Sequence, residues 1–280
     1  MEPLISNYRD GFGPGYTAIT TAGEAGDDTG ISMGVLKLAA GESHVATLAG
    51  ETAFLLMEGA IAGSVGGLGF QLSRTSLFDD SPACLHAATG TSVEIRADAD
   101  SELTVYACEN TESFEPRVFR PADVADERRG EGQVGGRCLR LVRTIFDAHN
   151  SPPAVRLVLG EVVTLPGGWS SYPPHHHPQP ELYHYRFTHP QGFGHAEHGD
   201  DVFKVRQYDT IRIEAGRDHA QTAAPGYGMY YAWVIRHLPG QPYDVPEFTE
   251  EHAWTMKPGA KIWEPAQRPD AGTKAPAKPK

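Results

Sequence analysis

Short apolar runs separated by glycine and proline are the feature that most constrains this chain. The 280 residues include 31 glycines and 22 prolines, both above the usual shares of roughly 7 % and 5 %. Runs rich in β-branched, leucine and aromatic side chains recur between these breaks: residues 53–57, 92–97, 103–108, 155–165, 182–187, 210–214 and 229–235. Several alternate with period two, as strands do, and no long stretch keeps a helical period. The sequence therefore predicts an all-β fold.

The strand pattern occurs twice, from about residue 30 to 110 and again from about residue 155 to 240. A polar, glycine-bearing segment separates the two sets, which predicts two similar jelly-roll barrels and a connector. The C-terminal end is rich in proline, alanine and lysine and cannot bury enough surface to become ordered. We therefore predict four parts: an N-terminal domain over 1–116, a connector over 117–150, a C-terminal domain over 151–264 and a flexible tail over 265–280.

Charge and hydropathy exclude two classes of partner. With 24 basic and 36 acidic side chains, the formal net charge is −12, so the chain repels phosphate backbones and a nucleic-acid partner is not expected. The most apolar window, residues 53–70, contains Glu58 and five glycines, which indicates turns between strands rather than a membrane span. Three widely spaced cysteines and no basic leader indicate a cytoplasmic protein without disulfides or a thiolate zinc site.

A cluster of histidines suggests a metal site. In an extended strand His175 and His177 share one face and His176 points away. Glu181 follows closely enough for the chain to turn and return a carboxylate, and His219 follows a glycine turn far downstream. Three imidazoles and one carboxylate suit a divalent transition metal and leave two positions for substrate.

Two further observations bear on this site. A solvated loop is the alternative interpretation of a triple histidine after two prolines, but the spaced glutamate and the later histidine favour a metal. The first strand set holds an incomplete echo in His44, Glu51 and His86, which lacks the second histidine of the pair. We expect one metal site, in the C-terminal half.

These residues resemble the cupin motif, in which His-x-His and a following Glu lie on inward-facing strands and a later His completes the set. More specifically, the chain is similar to the 5-deoxy-glucuronate isomerases of inositol catabolism, a bicupin family. The likeness rests on residues 127–130, 164–175, 181–187, 192–194, 224–231 and 254–263. Departures such as His176, His184 and Trp233 leave the four ligand positions intact.

The resemblance implies an aldose–ketose isomerase that converts 5-deoxy-D-glucuronate into 5-dehydro-2-deoxy-D-gluconate. It implies one divalent metal ion per chain, held by His175, His177, Glu181 and His219, with zinc or manganese expected and iron or nickel left open. The metal would stabilise the enediolate charge as a Lewis acid. A small sugar acid and further copies of the same chain are the expected partners.

Roles for individual side chains follow from the same resemblance. Glu181, Tyr183 and Tyr231 are the main candidates for moving protons, and His184 and a metal-bound hydroxide stay open as alternatives. Arg186 suits a substrate carboxylate through bidentate pairing, or equally a structural acid, and His184 is a second candidate substrate contact.

Three other functions stay open on the sequence. The same ligand set holds Fe(II) in cupin dioxygenases. A bicupin that has lost activity could bind a sugar without turning it over. A ketol-isomerase of another uronate, such as the deoxy-hexosulose uronate of pectin breakdown, would differ only in substrate.

Overall fold

The computed structural model describes residues 2–26 and 29–266, which form 21 strands and three short 3-10 helices. The first ten strands are β1 (Leu4–Ile5), β2 (Gly15–Thr20), β3 (Ser32–Leu38), β4 (Ser43–Thr47), β5 (Glu51–Val65), β6 (Leu68–Arg74), β7 (Cys84–Ala87), β8 (Ser92–Ala97), β9 (Ser101–Cys108) and β10 (Arg117–Phe119). The remaining strands are β11 (Glu127–Arg129), β12 (Arg140–Phe146), β13 (Leu157–Thr164), β14 (Trp169–His176), β15 (Glu181–Phe187), β16 (Phe193–His198), β17 (Asp201–Arg206), β18 (Thr210–Ile213), β19 (His219–Ala223), β20 (Met229–Arg236) and β21 (Glu247–Phe248). The 3-10 helices are Pro121–Asp123, Gln133–Gly136 and Ala253–Met256. The all-β prediction is confirmed, and within the described residues no helix is long and apolar enough to cross a membrane.

The strands form an N-terminal unit (β2 to β10) and a C-terminal unit (β1 and β11 to β21). The N-terminal unit is one nine-stranded sheet with the central order β10-β7-β5-β9-β3-β2, to which β4, β6 and β8 are joined. The C-terminal unit has a seven-stranded sheet, β1-β18-β15-β20-β13-β12-β11, and a five-stranded sheet, β17-β16-β19-β14-β21. The two-domain prediction is consistent with this arrangement of strands.

Alternation along the strands divides the apolar side chains among three clusters. On β5, Ala53, Leu55 and Met57 belong to a cluster shared by the two units, whereas Phe54 and Leu56 fill the interior of the N-terminal unit. The third cluster fills part of the C-terminal interior. Because successive strand side chains point to opposite faces, each large sheet supports one interior and the common interface.

A buried ion-pair network also crosses the interface. The Glu161 carboxylate on β13 accepts hydrogen bonds from Arg74 on β6 at 2.6 Å and from Arg143 at 3.0 Å. The Tyr230 hydroxyl donates to the other carboxylate oxygen at 2.8 Å. The Arg74 and Glu161 side chains are fully buried, so the three donors compensate for the loss of hydration and fix the position of one unit on the other.

The predicted connector, 117–150, contributes strands to both units. Its β10 pairs with β7 of the N-terminal unit, and β11 and β12 form the edge of the seven-stranded sheet. Although the stretch around residues 126–137 is polar and rich in glycine, the following strand β12 carries apolar side chains on both faces. Val142 points into the C-terminal interior and Ile145 into the shared cluster. Strand β1, which contains Leu4, comes first in the chain but belongs to the C-terminal unit, because it pairs with β18.

Residues 53–70 are not a series of turns. They form most of β5, a single Gly66-Gly67 turn and the start of β6. Gly59 has φ +110, and a Cβ there would lie 2.3 Å from the Ser101 hydroxyl, so glycine lets a long strand bend against its neighbour. Most of the predicted tail, from residue 267 onward, lies outside the described residues.

Candidate metal centre

Three of the four predicted ligands lie together at the end of the C-terminal barrel. His177 follows β14, Glu181 opens β15 and His219 opens β19. Their ligand atoms all lie within 4.8 Å of one another, and all three side chains are buried. The Glu181 Oε2 atom is 3.3 Å from His177 Nε2 and 3.5 Å from His219 Nε2. This group could hold a metal ion.

The fourth predicted ligand, His175, lies beside this group but outside the mutually close set. It is paired with His219 in the β14–β19 register, and the two ring centroids are 4.4 Å apart. His176 points elsewhere, as alternation predicts, and its Nδ1 atom is 2.7 Å from Asp218 Oδ1.

Backbone carbonyls fix the tautomers of the three histidines. The Nδ1 atom of His177 lies 2.7 Å from the Gln179 carbonyl, that of His219 lies 3.0 Å from the Arg217 carbonyl, and that of His175 lies 3.3 Å from the Pro173 carbonyl. A carbonyl only accepts, so each Nδ1–H donates and each Nε2 keeps its lone pair. In metal sites, such a hydrogen bond from the ring nitrogen that does not bind the metal fixes the orientation of the histidine.

The electrostatic environment supports the same conclusion. The buried Nε2 of His219 makes no hydrogen bond within the described part of the chain. Burial lowers the pKa of His219 well below its usual value and lowers that of His175 to about 4. Both imidazoles therefore stay neutral near pH 7, which metal coordination requires. The donor set fits a divalent metal.

The irregular path of β14 places the Ser171 hydroxyl beside two buried tyrosines. Its register with β19 shifts between Ser170 and His175, where two prolines have no N–H for the ladder. Ser171 lies in this irregular stretch with φ +51. Its hydroxyl is 3.1 Å from the Tyr231 hydroxyl and 3.4 Å from that of Tyr183.

Tyr183 and Tyr231 stack on each other with ring centroids 4.5 Å apart, and the Tyr183 ring lies 5.9 Å from that of His219. Burial and the charge of Glu181 raise the pKa of Tyr183 well above its usual value. Burial raises the pKa of Tyr231 to about 12. Both phenols hold their protons near neutral pH. The Tyr231 hydroxyl donates to the Ser170 hydroxyl at 3.0 Å, so Tyr183 is the phenol whose proton is available to a bound oxygen.

A cavity of about 280 Å³ opens on this group. Its lining includes five residues of the predicted site: His175, His177, Glu181, Tyr183 and Tyr231. The remaining predicted ligand, His219, is not among the lining residues and lies behind His177 and Glu181. It also includes residues that the sequence analysis did not single out for the site: Arg129, Arg140, Ser171, Asp147, Tyr243, Asp244 and Phe248.

The two predicted substrate contacts, Arg186 and His184, are not brought to this cavity. On β15 the odd-numbered Tyr183 and Tyr185 face the C-terminal interior, so the even-numbered side chains face the N-terminal unit. Arg186 donates to Glu102 there at 2.6 Å, and the His184 Nδ1 atom is 2.8 Å from the Thr210 hydroxyl. Period-two alternation explains this placement.

The arginines that do line the cavity come from the predicted connector. Arg140 shares one face of β12 with Val142 and Thr144, and all three line the cavity. The alternation of that strand could have been detected in the sequence. What the sequence could not show is that β12 joins the C-terminal sheet beside β13.

Comparison with known proteins gives the family. The model of the KduI/IolB family matches residues 9–255, which is well over half of the chain. The chain belongs to the KduI/IolB family. A 5-deoxy-glucuronate isomerase from Lacticaseibacillus casei is 29 % identical over 243 residues, which cover 79 % of this chain and 86 % of that protein. Another, from Geobacillus thermodenitrificans, is 28 % identical over 193 residues, which cover 63 % of this chain and 66 % of the relative.

Solved structures confirm the predicted cupin fold of this family member. An IolB-like protein from Salmonella typhimurium LT2 matches with a TM-score of 0.74 and 26 % identity, over 81 % of this chain and 90 % of that one. A cupin 2 conserved barrel domain protein from Leptotrichia buccalis matches with a TM-score of 0.52 and 14 % identity, over 83 % and 95 %.

Proposed function

We propose that this protein is a cytoplasmic, metal-dependent aldose–ketose isomerase that converts 5-deoxy-D-glucuronate into 5-dehydro-2-deoxy-D-gluconate in myo-inositol catabolism. The observation that carries the proposal is the buried His177, Glu181 and His219 group, with imidazole lone pairs available beside a cavity of about 280 Å³. The name shared by the relatives from L. casei and G. thermodenitrificans supports the choice of reaction.

The reaction moves protons within one molecule and needs no external oxidant. A proton leaves the carbon next to the aldehyde, one returns to the former aldehyde carbon, and the hydroxyl proton is exchanged between the two oxygens. His177, Glu181 and His219, with His175 beside them, would hold a divalent ion, with zinc or manganese expected. That ion supplies Lewis-acid stabilisation of negative charge on the substrate oxygens.

The side chains around the group have separable tasks. Tyr183 and Tyr231, whose pKa values are raised, keep their protons. Tyr183 donates a hydrogen bond to an oxygen that gains charge, and Tyr231, which donates to Ser170, supports the Tyr183 ring by stacking. Ser171 lies within hydrogen-bonding distance of both phenols and holds them in position. Glu181 is the carboxylate nearest to the imidazoles and is our candidate for accepting the carbon-bound proton.

An anaerobic proton NMR time course with metal-loaded protein and 5-deoxy-D-glucuronate tests the proposal. We expect the ketose product to appear and a chelator to stop its formation. The His219→Ala variant should be inactive, whereas His189→Ala, which removes an exposed histidine, should match the wild type. No product from protein with confirmed bound metal would contradict the proposal, and product that forms only with oxygen would favour a dioxygenase.

A further inference from the structure

Two arginines face each other across the edge strands of the cavity. Arg129 on β11 and Arg140 on β12 are direct partners in the antiparallel register, and both line the cavity onto which His177 and Glu181 open. Side chains at such paired positions have Cβ atoms about 4.5–5.5 Å apart, and like charges placed there repel each other. The pair therefore needs a compensating charge.

The protein supplies little of that charge. Arg129 donates to Glu127 at 2.8 Å, and both of these side chains are about half exposed. Arg140 donates to the Cys138 carbonyl at 3.0 Å, and no carboxylate of the described residues forms an ion pair with it. Burial lowers the pKa of Arg140, and the neighbouring charge of Arg129 contributes to the decrease. An anionic ligand between the two guanidinium groups would relieve both effects.

We infer that Arg140, with Arg129 opposite, binds the carboxylate of a sugar acid in this cavity and thereby selects uronates over neutral aldoses. The planar guanidinium presents two parallel N–H donors that match a carboxylate. The choice of a uronate as substrate rests on the proposed function, whereas the anion site rests on the arginine pair itself.

Other charges in the cavity define where the carboxylate binds. The acidic lining residues are Glu181, Asp147 and Asp244. Glu181 belongs to the histidine group, and Asp244 lies 3.0 Å from His149. Since these carboxylates repel an anion, the β11–β12 edge is the favourable place for the acid group of the substrate.

The test compares two sugars of nearly the same shape, one with a carboxylate and one with a neutral carboxamide at the same carbon. D-Glucuronate and its neutral amide, D-glucuronamide, are titrated into metal-loaded protein by calorimetry, so the measurement does not depend on turnover. We expect the wild type to prefer the acid by about tenfold or more, the range for hydrogen bonds to charged groups. Arg140→Gln should lower this preference to about twofold or less, and Arg129→Gln should lower it less.

Arg128→Gln is the matched control. Arg128 is the neighbour of Arg129 on β11, is more than half exposed and pairs with Glu131, and is not a lining residue of the cavity. Its loss removes the same charge from the same strand, so the preference for the acid should persist. Arg140→Lys keeps the positive charge but lacks the planar guanidinium with its two parallel N–H donors, so it should give an intermediate preference.

Metal content and the circular dichroism spectrum confirm that each variant is folded; if Arg140→Gln does not fold, Arg129→Gln and Arg140→Lys carry the test. An unchanged preference for the acid in the folded arginine variants overturns the inference, and so does a wild type without such a preference. The NMR assay separates this result from the proposed function. If the preference for the acid depends on Arg140 but no isomerisation occurs, the anion site is supported and the proposed isomerase is contradicted. If isomerisation occurs but the arginine variants keep the preference, the isomerase is supported and the anion site is contradicted.

Discussion

The two units are built from similar strands, but their interiors differ. The N-terminal interior is filled by apolar side chains such as Leu36, Phe54 and Ile95, whereas the C-terminal interior contains the cavity with the histidine group. Both units begin a central strand with a glutamate, Glu51 on β5 and Glu181 on β15. Glu51 lies on the strand face that meets the other unit, and Glu181 lies on the face that meets its own interior. The two glutamates therefore differ in their surroundings because they lie on different strand faces, although the residue type is the same.

The hydrogen bonds of the two glutamates differ accordingly. Glu51 accepts from His86 at 2.9 Å, from Asn110 at 2.7 Å, and from the backbone N–H groups of Arg156 and Leu157. Burial alone raises its pKa, but these donors outweigh burial and the pKa is lowered. Burial dominates at Glu181, whose pKa is raised. Glu51 is saturated with protein donors, whereas Glu181 is available for a metal ion.

Removing the carboxylate of Glu181, in the C-terminal unit, should have the largest effect on function. Glu181→Ala is expected to lower metal affinity by at least about 100-fold and to abolish isomerisation. The loss of affinity should exceed that caused by removing a residue that only hydrogen-bonds to a metal ligand. The β-sheet circular dichroism spectrum should be unchanged. Metal analysis after dialysis and the NMR assay measure the two effects. His177→Ala should behave in the same way, and metal retained by both variants would contradict the site.

The corresponding change in the N-terminal unit should affect stability instead. Glu51→Ala leaves His86 and two backbone N–H groups without their acceptor, and breaking a buried pair costs about 3–5 kcal/mol. Denaturant unfolding gives the free energy of unfolding, with exposed Glu94→Ala on β8 as the control. The folded variant should keep its metal, and loss of metal without loss of stability would reverse the roles of the two glutamates.

The comparison also shows what the sequence could and could not predict. The run 92–97 coincides with β8, because local alternation defines a half-buried strand. The spacing of His177 and Glu181 predicted their meeting, since only a short turn separates them. Arg140 could not be placed, because its role depends on pairing between the connector and β13. The side-chain type of Arg186 suits a carboxylate, but its even-numbered position on β15 directs it away from the cavity and towards Glu102.

The histidine environment of the C-terminal unit should make the metal-free protein sensitive to acid. The pKa values of His175 and His219 are lowered by burial, so below about pH 6.5 the unfolded state binds more protons than the folded state. Stability from these residues is present above pH 6.5 and is lost as the pH falls towards about 4. The raised pKa of Glu181 acts in the opposite direction.

Chemical unfolding of metal-free protein at pH 7.5, 6 and 5 measures this loss. The His175→Gln variant should show a shallower decrease than the wild type, since one of the responsible groups is absent. His189→Gln, which changes an exposed histidine, should retain the wild-type slope. Equal slopes for the wild type and His175→Gln would show that His175 is not held neutral by the fold.

The smallest effect is expected at Ser171, which lies within hydrogen-bonding distance of Tyr183 and Tyr231. Ser171→Ala removes a hydroxyl near both phenols, and loss of one such neutral hydrogen bond, worth about 1 kcal/mol, should lower kcat about fivefold. Metal content should not change, because Ser171 is not a predicted metal ligand, and KM should change less than kcat if the hydroxyl positions the phenols for a charge that develops during reaction. Ser73→Ala, at an exposed position of β6, is the matched control in the N-terminal unit. A rise in KM at constant kcat would instead make Ser171 a contact of the bound substrate.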